Sequence, residues 1–361
     1  MSSLSSPAAV QPPASHSQLE HYPVTFFAIV MGLSGLSMAL HAFENAHGLG
    51  SQASGAAYWL TIAAFLAIAA VYMLKAWRYP AAVRAEWNHP VRLAFFPAIS
   101  ISLLLLATLT LPRAPHLAEP LWLFGMGLQG ALTIAVISGW IGHRAFQTPH
   151  LSPAWFIPAV GNVIVPIAGV QMGYVEISWY FLSVGLIFWV VLLTLVMNRL
   201  IFHDPMPGRL QPTLVILIAP PAVGFLAWVR LTGDIDAFAR VLMNGAYLFT
   251  LLVAVQLPRI VRLPFALSFW ALSFPFAAVT AASFHYADAT GSAVHALFGT
   301  GLMGVLAIII AALLIRTWRA MRRGEICQPE WARPDCNGGR PDKVAPRFFL
   351  LQISPRGAHP P

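Results

Sequence analysis

The sequence predicts an all-α integral membrane protein of ten transmembrane helices, paired as five helical hairpins, with proline-kinked odd helices inside and even helices outside. Three observations predict it. Of the 361 residues, 58% are hydrophobic and only 9% are charged, whereas a soluble domain carries about 25% charged residues. Ten apolar runs follow one another, each long enough to cross about 30 Å of hydrocarbon as roughly 20 helical residues. Prolines recur in alternate runs, with a period of one hairpin.

Residues 1–20 are rich in Ser, Pro and Ala and read as a disordered leader. Residues 1–22 hold no Lys or Arg, so the first apolar run is expected to be a retained helix and not a signal peptide. The ten runs fall at 23–42, 56–77, 91–111, 120–142, 153–173, 177–200, 211–231, 236–257, 264–286 and 292–316. Together they make a transmembrane domain over residues 21–320. Residues 321–361, proline-rich and of mixed charge, read as a disordered cytoplasmic tail.

The prolines divide the helices into two kinds. Helix one has Pro23 at its first turn, and helix three has Pro97. Helix five has Pro158 and Pro166, helix seven Pro220 and Pro221, and helix nine Pro264 and Pro275. The even helices are expected to have no interior proline. A proline removes a backbone hydrogen bond and frees a carbonyl one turn earlier. In lipid such a group must face protein or water. The odd helices should therefore form an inner ring and the even ones an outer ring. Packing and pore lining both remain open for the interior.

Charge sets the orientation. Lys75, Arg78, Arg84, Arg92, Arg144, Arg199, Arg209, Arg259 and Arg262 lie in loops after even helices, and Arg316, Arg319, Arg322 and Arg323 follow helix ten. Arg113, Arg230 and Arg240 are on the other side. The positive-inside rule then places both termini in the cytoplasm of a cell that carries this chain in its plasma or inner membrane. Trp77, Trp140 and Trp318 sit near span ends, as interfacial anchors do. The net charge of +8 does not signal nucleic acid, because the basic residues cap apolar runs and form no basic face of their own.

No Asp, Glu, Lys or Arg falls in the middle of any predicted span. Glu44, Glu119, Glu176, Asp234, Asp236 and Asp288 lie in or beside the outer loops. A coupling proton or a metal cation has no evident mid-membrane site. The odd helices offer small and mildly polar groups instead: Gly32, Ser34, Gly35, Ser37, Gly161, Asn162, Gly169, Ala219, Ala222 and Gly224. Small residues serve close packing as well as pore lining, and Asn162 reads as a hydrogen-bonding strut as readily as a lining group. His41, Glu44 and His47 have a His-x-x-Glu-x-x-His spacing but no evident further ligand. Cys327 and Cys336 have no companion pair and read as reduced thiols. Nothing matches a P-loop, a catalytic triad or a cofactor fingerprint, so neither enzyme activity nor a cofactor nor a bound metal is expected.

Several stretches carry a family likeness. They are Pro23 to Gly32 opening helix one, His89-Pro90 with Phe95-Phe96-Pro97 entering helix three, Pro158 with Gly161, Ala219-Pro220-Pro221, and Trp270-Ala271-Leu272-Ser273-Phe274-Pro275 in helix nine. In this order, on ten spans, the chain resembles the tellurite-resistance/dicarboxylate transporter family. That family includes bacterial tellurite-resistance proteins, yeast malate and sulfite transporters and the slow anion channels of plant guard cells. The resemblance implies five hairpins around a quasi-fivefold central pore, usually in a homotrimer, and small inorganic or dicarboxylate anions as cargo. It also implies a helix-nine phenylalanine that blocks the pore. Phe274 matches by its place before Pro275, while periodicity alone does not choose between it and Phe265, Phe269, Trp270 or Phe276. The expected lining is Gly32, Gly35, Pro97, Pro158, Gly161, Asn162, Pro220, Ser273, Pro275 and Ala278. Two rivals are a secondary transporter for a C4-dicarboxylate, sulfite or tellurite oxyanion, and a membrane enzyme or receptor using His41, Glu44 and His47.

Overall fold

The computed structural model describes residues 17–142 and 146–327. Most of the expected leader, Arg144, Cys336 and the tail beyond Cys327 lie outside them. Nine helices among the described residues are long and apolar enough to cross a membrane. Helices one to four are Val24–Ala46, Gln52–Arg78, Arg92–Thr110 and Pro115–Ile141. Helices six to ten are Val175–Phe202, Gln211–Thr232, Ala237–Ile260, Leu267–Thr290 and Ala293–Arg322, with helix five, the shorter Pro153–Gly169, between helices four and six.

Each odd helix begins as a 3-10 helix and continues as an α-helix. Helix one changes after Phe26, helix three between Phe95 and Ala98, helix seven after Ile218 and helix nine after Leu272. Helix five alternates twice, through Pro153–Trp155, Phe156–Val160, Gly161–Ile164 and Val165–Gly169. The expected single span there is thus a broken one. Pro97 lies directly before its α-helical segment, while Pro166, Pro220, Pro221 and Pro275 lie in the first turn of theirs. A proline is tolerated there because its missing amide would have no helical partner. The even helices run as unbroken α-helices of 24 to 30 residues.

The expectation that the even helices have no interior proline does not hold. Pro120 falls inside helix four and Pro258 inside helix eight. Pro120 is the sixth residue of helix four and Pro258 the third from the end of helix eight, so each removes one amide bond close to a helix end and the helix runs on unbroken. A short helix, Pro80–Asn88, also fills the loop before helix three.

Burial separates the two kinds of helix. In the most apolar window of helices one, three, seven and nine, 61, 89, 72 and 83% of the residues are buried, against 28% in every even helix. The odd helices touch in cyclic order: one meets three, three meets five, five meets seven, seven meets nine, and nine returns to one. Each even helix packs against its own odd partner and the next odd helix in that order. The outward faces, with Trp59, Met73, Phe124, Ile187, Leu251 and Ile308 exposed, are apolar surfaces suited to lipid.

A buried ion pair pins the start of helix one. Lys75 Nζ lies 2.8 Å from Glu86 Oε2 and donates to the Tyr22 carbonyl at 2.8 Å. Glu86 in turn accepts from the Val24 amide at 2.8 Å and the Tyr72 hydroxyl at 3.2 Å. Val24 is an orphan donor of a helix start, and Glu86 caps it from another helix. Burial pushes the Tyr22 phenol well above its ordinary value, so it stays uncharged beside the pair. At the other end, Glu44 Oε1 accepts from the amides of Ala53 and Ser54 at 2.8 and 3.2 Å and caps helix two.

Candidate functional site

All five odd helices line two neighbouring cavities. The larger, of ≈ 70 Å³, has room for several waters. It lies among the 3-10 halves. Helix one contributes Thr25, Ala28 and Met31, and helix three Phe95 and Ile101. Helix five contributes Phe156, Val160 and Gly161, helix seven Ile216, Ala219 and Pro220, and helix nine Leu267, Ser268, Ala271 and Pro275. The smaller, of ≈ 10 Å³, fits about one water. It lies further along, between Gly35 and Met38, Leu105, Ile167, Leu226, Ala278 and Ala281. Phe274 and Val223 line both cavities.

Local bonding fixes the register of Phe274. Trp270 Nε1 donates to Thr317 Oγ1 of helix ten at 2.9 Å. Ser273 Oγ donates back to the Trp270 carbonyl at 2.6 Å, where the 3-10 segment gives way to α-helix. Trp270 itself borders the larger cavity, and Phe274, four residues on, lies on the same side of helix nine. Helix one passes close behind. A Cβ added at Gly32 would lie 2.8 Å from Ser273 Cβ, and one at Gly35 2.7 Å from Ala277 Cβ and 3.3 Å from the Phe274 ring. Gly32→Val is therefore expected to force helices one and nine apart, costing about 1–3 kcal/mol. A thermal-unfolding midpoint unchanged in detergent would contradict this packing.

The other expected lining residues sit in the breaks. The Pro158 carbonyl accepts from Thr133 Oγ1 at 2.9 Å and Gln129 Nε2 at 3.2 Å, both of helix four. Asn162 Nδ2 donates to the Ala159 carbonyl at 2.6 Å and to Thr133 Oγ1 at 3.0 Å. Ser100 Oγ lies 2.7 Å from Gln129 Oε1 and 2.9 Å from the Pro97 carbonyl, and Trp122 Nε1 donates to the Val165 carbonyl at 3.0 Å. In helix five the carbonyls of Pro158 and Val165 thus turn toward helix four, whereas the Pro97 carbonyl is taken within helix three. Gly161, Pro220 and Pro275 border the larger cavity and Gly35 and Ala278 the smaller, while Gly32, Pro97, Pro158, Asn162 and Ser273 border neither. Sequence reading passed over Gln129, which is fully buried. Its signal was Gln129 with Thr133 four residues on, one polar stripe in an apolar span.

No Asp, Glu, Lys or Arg side chain lines either cavity. Thr25 and Ser268 supply the polar side chains, both at the end of the larger one. His41, Glu44 and His47 do not converge. His41 Nε2 pairs with Asn45, His47 Nδ1 with the Phe43 carbonyl, and Glu44 with helix two. No group of three or more metal-ligand side chains occurs among the described residues.

The family model described as voltage-dependent anion channel (SLAC1) matches residues 21–318, from the start of helix one to near the end of helix ten. The chain belongs to this family. Among similar proteins, the S-type anion channels SLAH2 and SLAH3 of Arabidopsis thaliana are 27% and 28% identical over 82% and 83% of this chain. The matches cover 58% and 48% of those proteins, so the chain spans about half the length of these plant relatives. A tellurite resistance protein TehA homolog of Haemophilus influenzae is 26% identical over 80% of this chain and 89% of its own length. Membership brings the resemblance read from the prolines and helix nine together with the burial of those same helices.

Proposed function

We propose that the chain carries small anions, inorganic or dicarboxylate, through a neutral pathway between the five odd helices, and that Phe274 closes it. The observation that carries this reading is the pair of uncharged cavities that meet at Phe274. With no fixed cation along it, the pathway passes an anion without holding it, and selectivity follows the cost of dehydration. The basic ends of the helices lie on the cytoplasmic side by the positive-inside rule, so the larger cavity faces the cytoplasm. The protein sits in the cytoplasmic membrane with both described ends inside, as a homotrimer with one pathway per protomer arranged quasi-fivefold.

A second reading is a coupled exporter of a C4-dicarboxylate, sulfite or tellurite oxyanion, favoured by the similarity to a tellurite resistance protein homolog. Liposomes holding the purified protein separate the two. Flux of chloride, nitrate, sulfite and malate is measured at two pH values. Ohmic, pH-insensitive chloride and nitrate current supports the channel, and saturable flux that moves protons with malate or sulfite supports the exporter.

A further inference from the structure

We infer that the larger cavity binds a short aliphatic monocarboxylate, with the hydrocarbon chain against its walls and the carboxylate beside Thr25. This rests on the pathway reading above and names the organic anion that suits it. The observation is an apolar chamber with one uncommitted side-chain donor at its end. Of the residues that line the cavity, Thr25, Ser268 and Trp270 have a side-chain donor. Ser268 Oγ donates to the Arg209 carbonyl at 2.6 Å, and Trp270 Nε1 to Thr317 Oγ1 at 2.9 Å. The Thr25 hydroxyl has no hydrogen-bond partner among the described residues. Thr25 and Ser268 are half-buried, whereas Val223 and Phe274, which border the smaller cavity as well, are buried. The rest of the wall includes Met31, Ile101, Val160 and Ile164.

Such a chamber discriminates among anions. A bare inorganic ion would leave water for walls without a donor. An alkyl chain gains from the same walls, roughly four-fold in affinity per buried methylene. Its carboxylate keeps water on one side and accepts from Thr25 on the other. A C4-dicarboxylate would place a second charge against Val223 and Phe274, where nothing pairs with it. The volume of ≈ 70 Å³ is about half that of an apolar cavity that holds benzene, which suits a chain of about three or four carbons. Arg209 is exposed and its carbonyl is held at Ser268, so a cation starts from the same end.

Radiolabelled butyrate, bound to the unaltered protein in phosphatidylcholine nanodiscs, tests this. At about pH 7, where these acids are ionised, affinity should fall roughly four-fold from butyrate to propionate and again to acetate. Succinate, of the same length as butyrate, should compete at least about ten-fold more weakly. Thr25→Val, which keeps the shape of the side chain, should weaken butyrate roughly ten-fold, and Ala28→Leu should fill the cavity and abolish binding. If either variant fails to fold, the chain-length series on the unaltered protein decides. Equal affinity along that series, succinate as strong as butyrate, or a folded Thr25→Val protein that binds like the unaltered one overturns the inference. Binding needs no transport, so the two readings fail separately. Chloride current without butyrate binding removes the site and keeps the pathway, whereas butyrate binding without any anion flux keeps the site and removes the pathway.

Discussion

Phe274→Ala is expected to raise chloride current at least about ten-fold, the change that removing roughly 1.4 kcal/mol of barrier produces. Phe274 is the one aromatic residue that lines both of these cavities, and it is 9% exposed. Beyond it lies space for about one water, bordered by Gly35, Ala278 and Ala281. Removing the phenyl joins that space to the larger cavity. Truncating a buried phenylalanine costs about 3–5 kcal/mol in a close-packed core. Here two cavities already border the ring, so the loss of packing should fall at or below that range. Patch recording with surface expression measured in parallel checks the result. Phe274→Trp should stay closed. Unchanged current from a normally expressed Phe274→Ala protein would contradict the closure.

Glu86→Ala should be the most damaging single substitution for stability. Lys75 and Glu86 are 3% and 1% exposed in their side chains, so removing the carboxylate strands a buried ammonium. Breaking one half of such a pair costs about 3–5 kcal/mol. It also frees the Val24 amide and the Tyr72 hydroxyl, both held by Glu86. Val24 precedes Thr25, which lines the larger cavity, so the loss also loosens the wall of that cavity. Removing both charges, as Lys75→Met with Glu86→Leu, should recover much of the stability. Thermal unfolding in detergent reads all three proteins. A Glu86→Ala midpoint equal to that of the unaltered protein, or a double variant no better than the single, would contradict the pinning role.

The ten helices were legible because lipid demands long apolar runs and leaves little freedom in their length. Their sorting into inner and outer was legible for a backbone reason. Pro97, Pro166, Pro220, Pro221 and Pro275 each mark a place where an unbroken helix facing lipid would leave a carbonyl bare. What prolines do locally was less legible. Helix five reads as one span by hydropathy, yet Pro158, Gly161 and Pro166 divide it into alternating 3-10 and α segments. The partners of the Pro158 carbonyl come from Gln129 and Thr133 on the preceding helix, and one-dimensional patterns do not show such pairings. Lys75 was legible as a marker of orientation, but its partner Glu86 falls between the expected spans 56–77 and 91–111, where nothing in the sequence singles it out. Only the short helix Pro80–Asn88 brings Glu86 under Val24. Gly32 and Gly35 signalled close approach, whereas Ser273 and Ala277 on the other side of it appear only once helices one and nine cross.

The central claim is that one aromatic ring separates a cytoplasmic from an outer compartment of an otherwise continuous pathway. Cysteine accessibility tests it most directly, with Cys327 and Cys336 replaced by serine. Cysteines are placed at Thr25 in the larger cavity and at Met38 in the smaller, and an anionic thiosulfonate is applied from one side at a time. With Phe274 present, Thr25→Cys should react only from the cytoplasmic side and Met38→Cys only from the outer side. With Phe274→Ala, each should react from both sides. Reaction of either cysteine from both sides while Phe274 is in place, or continued one-sided reaction after its removal, would contradict the account.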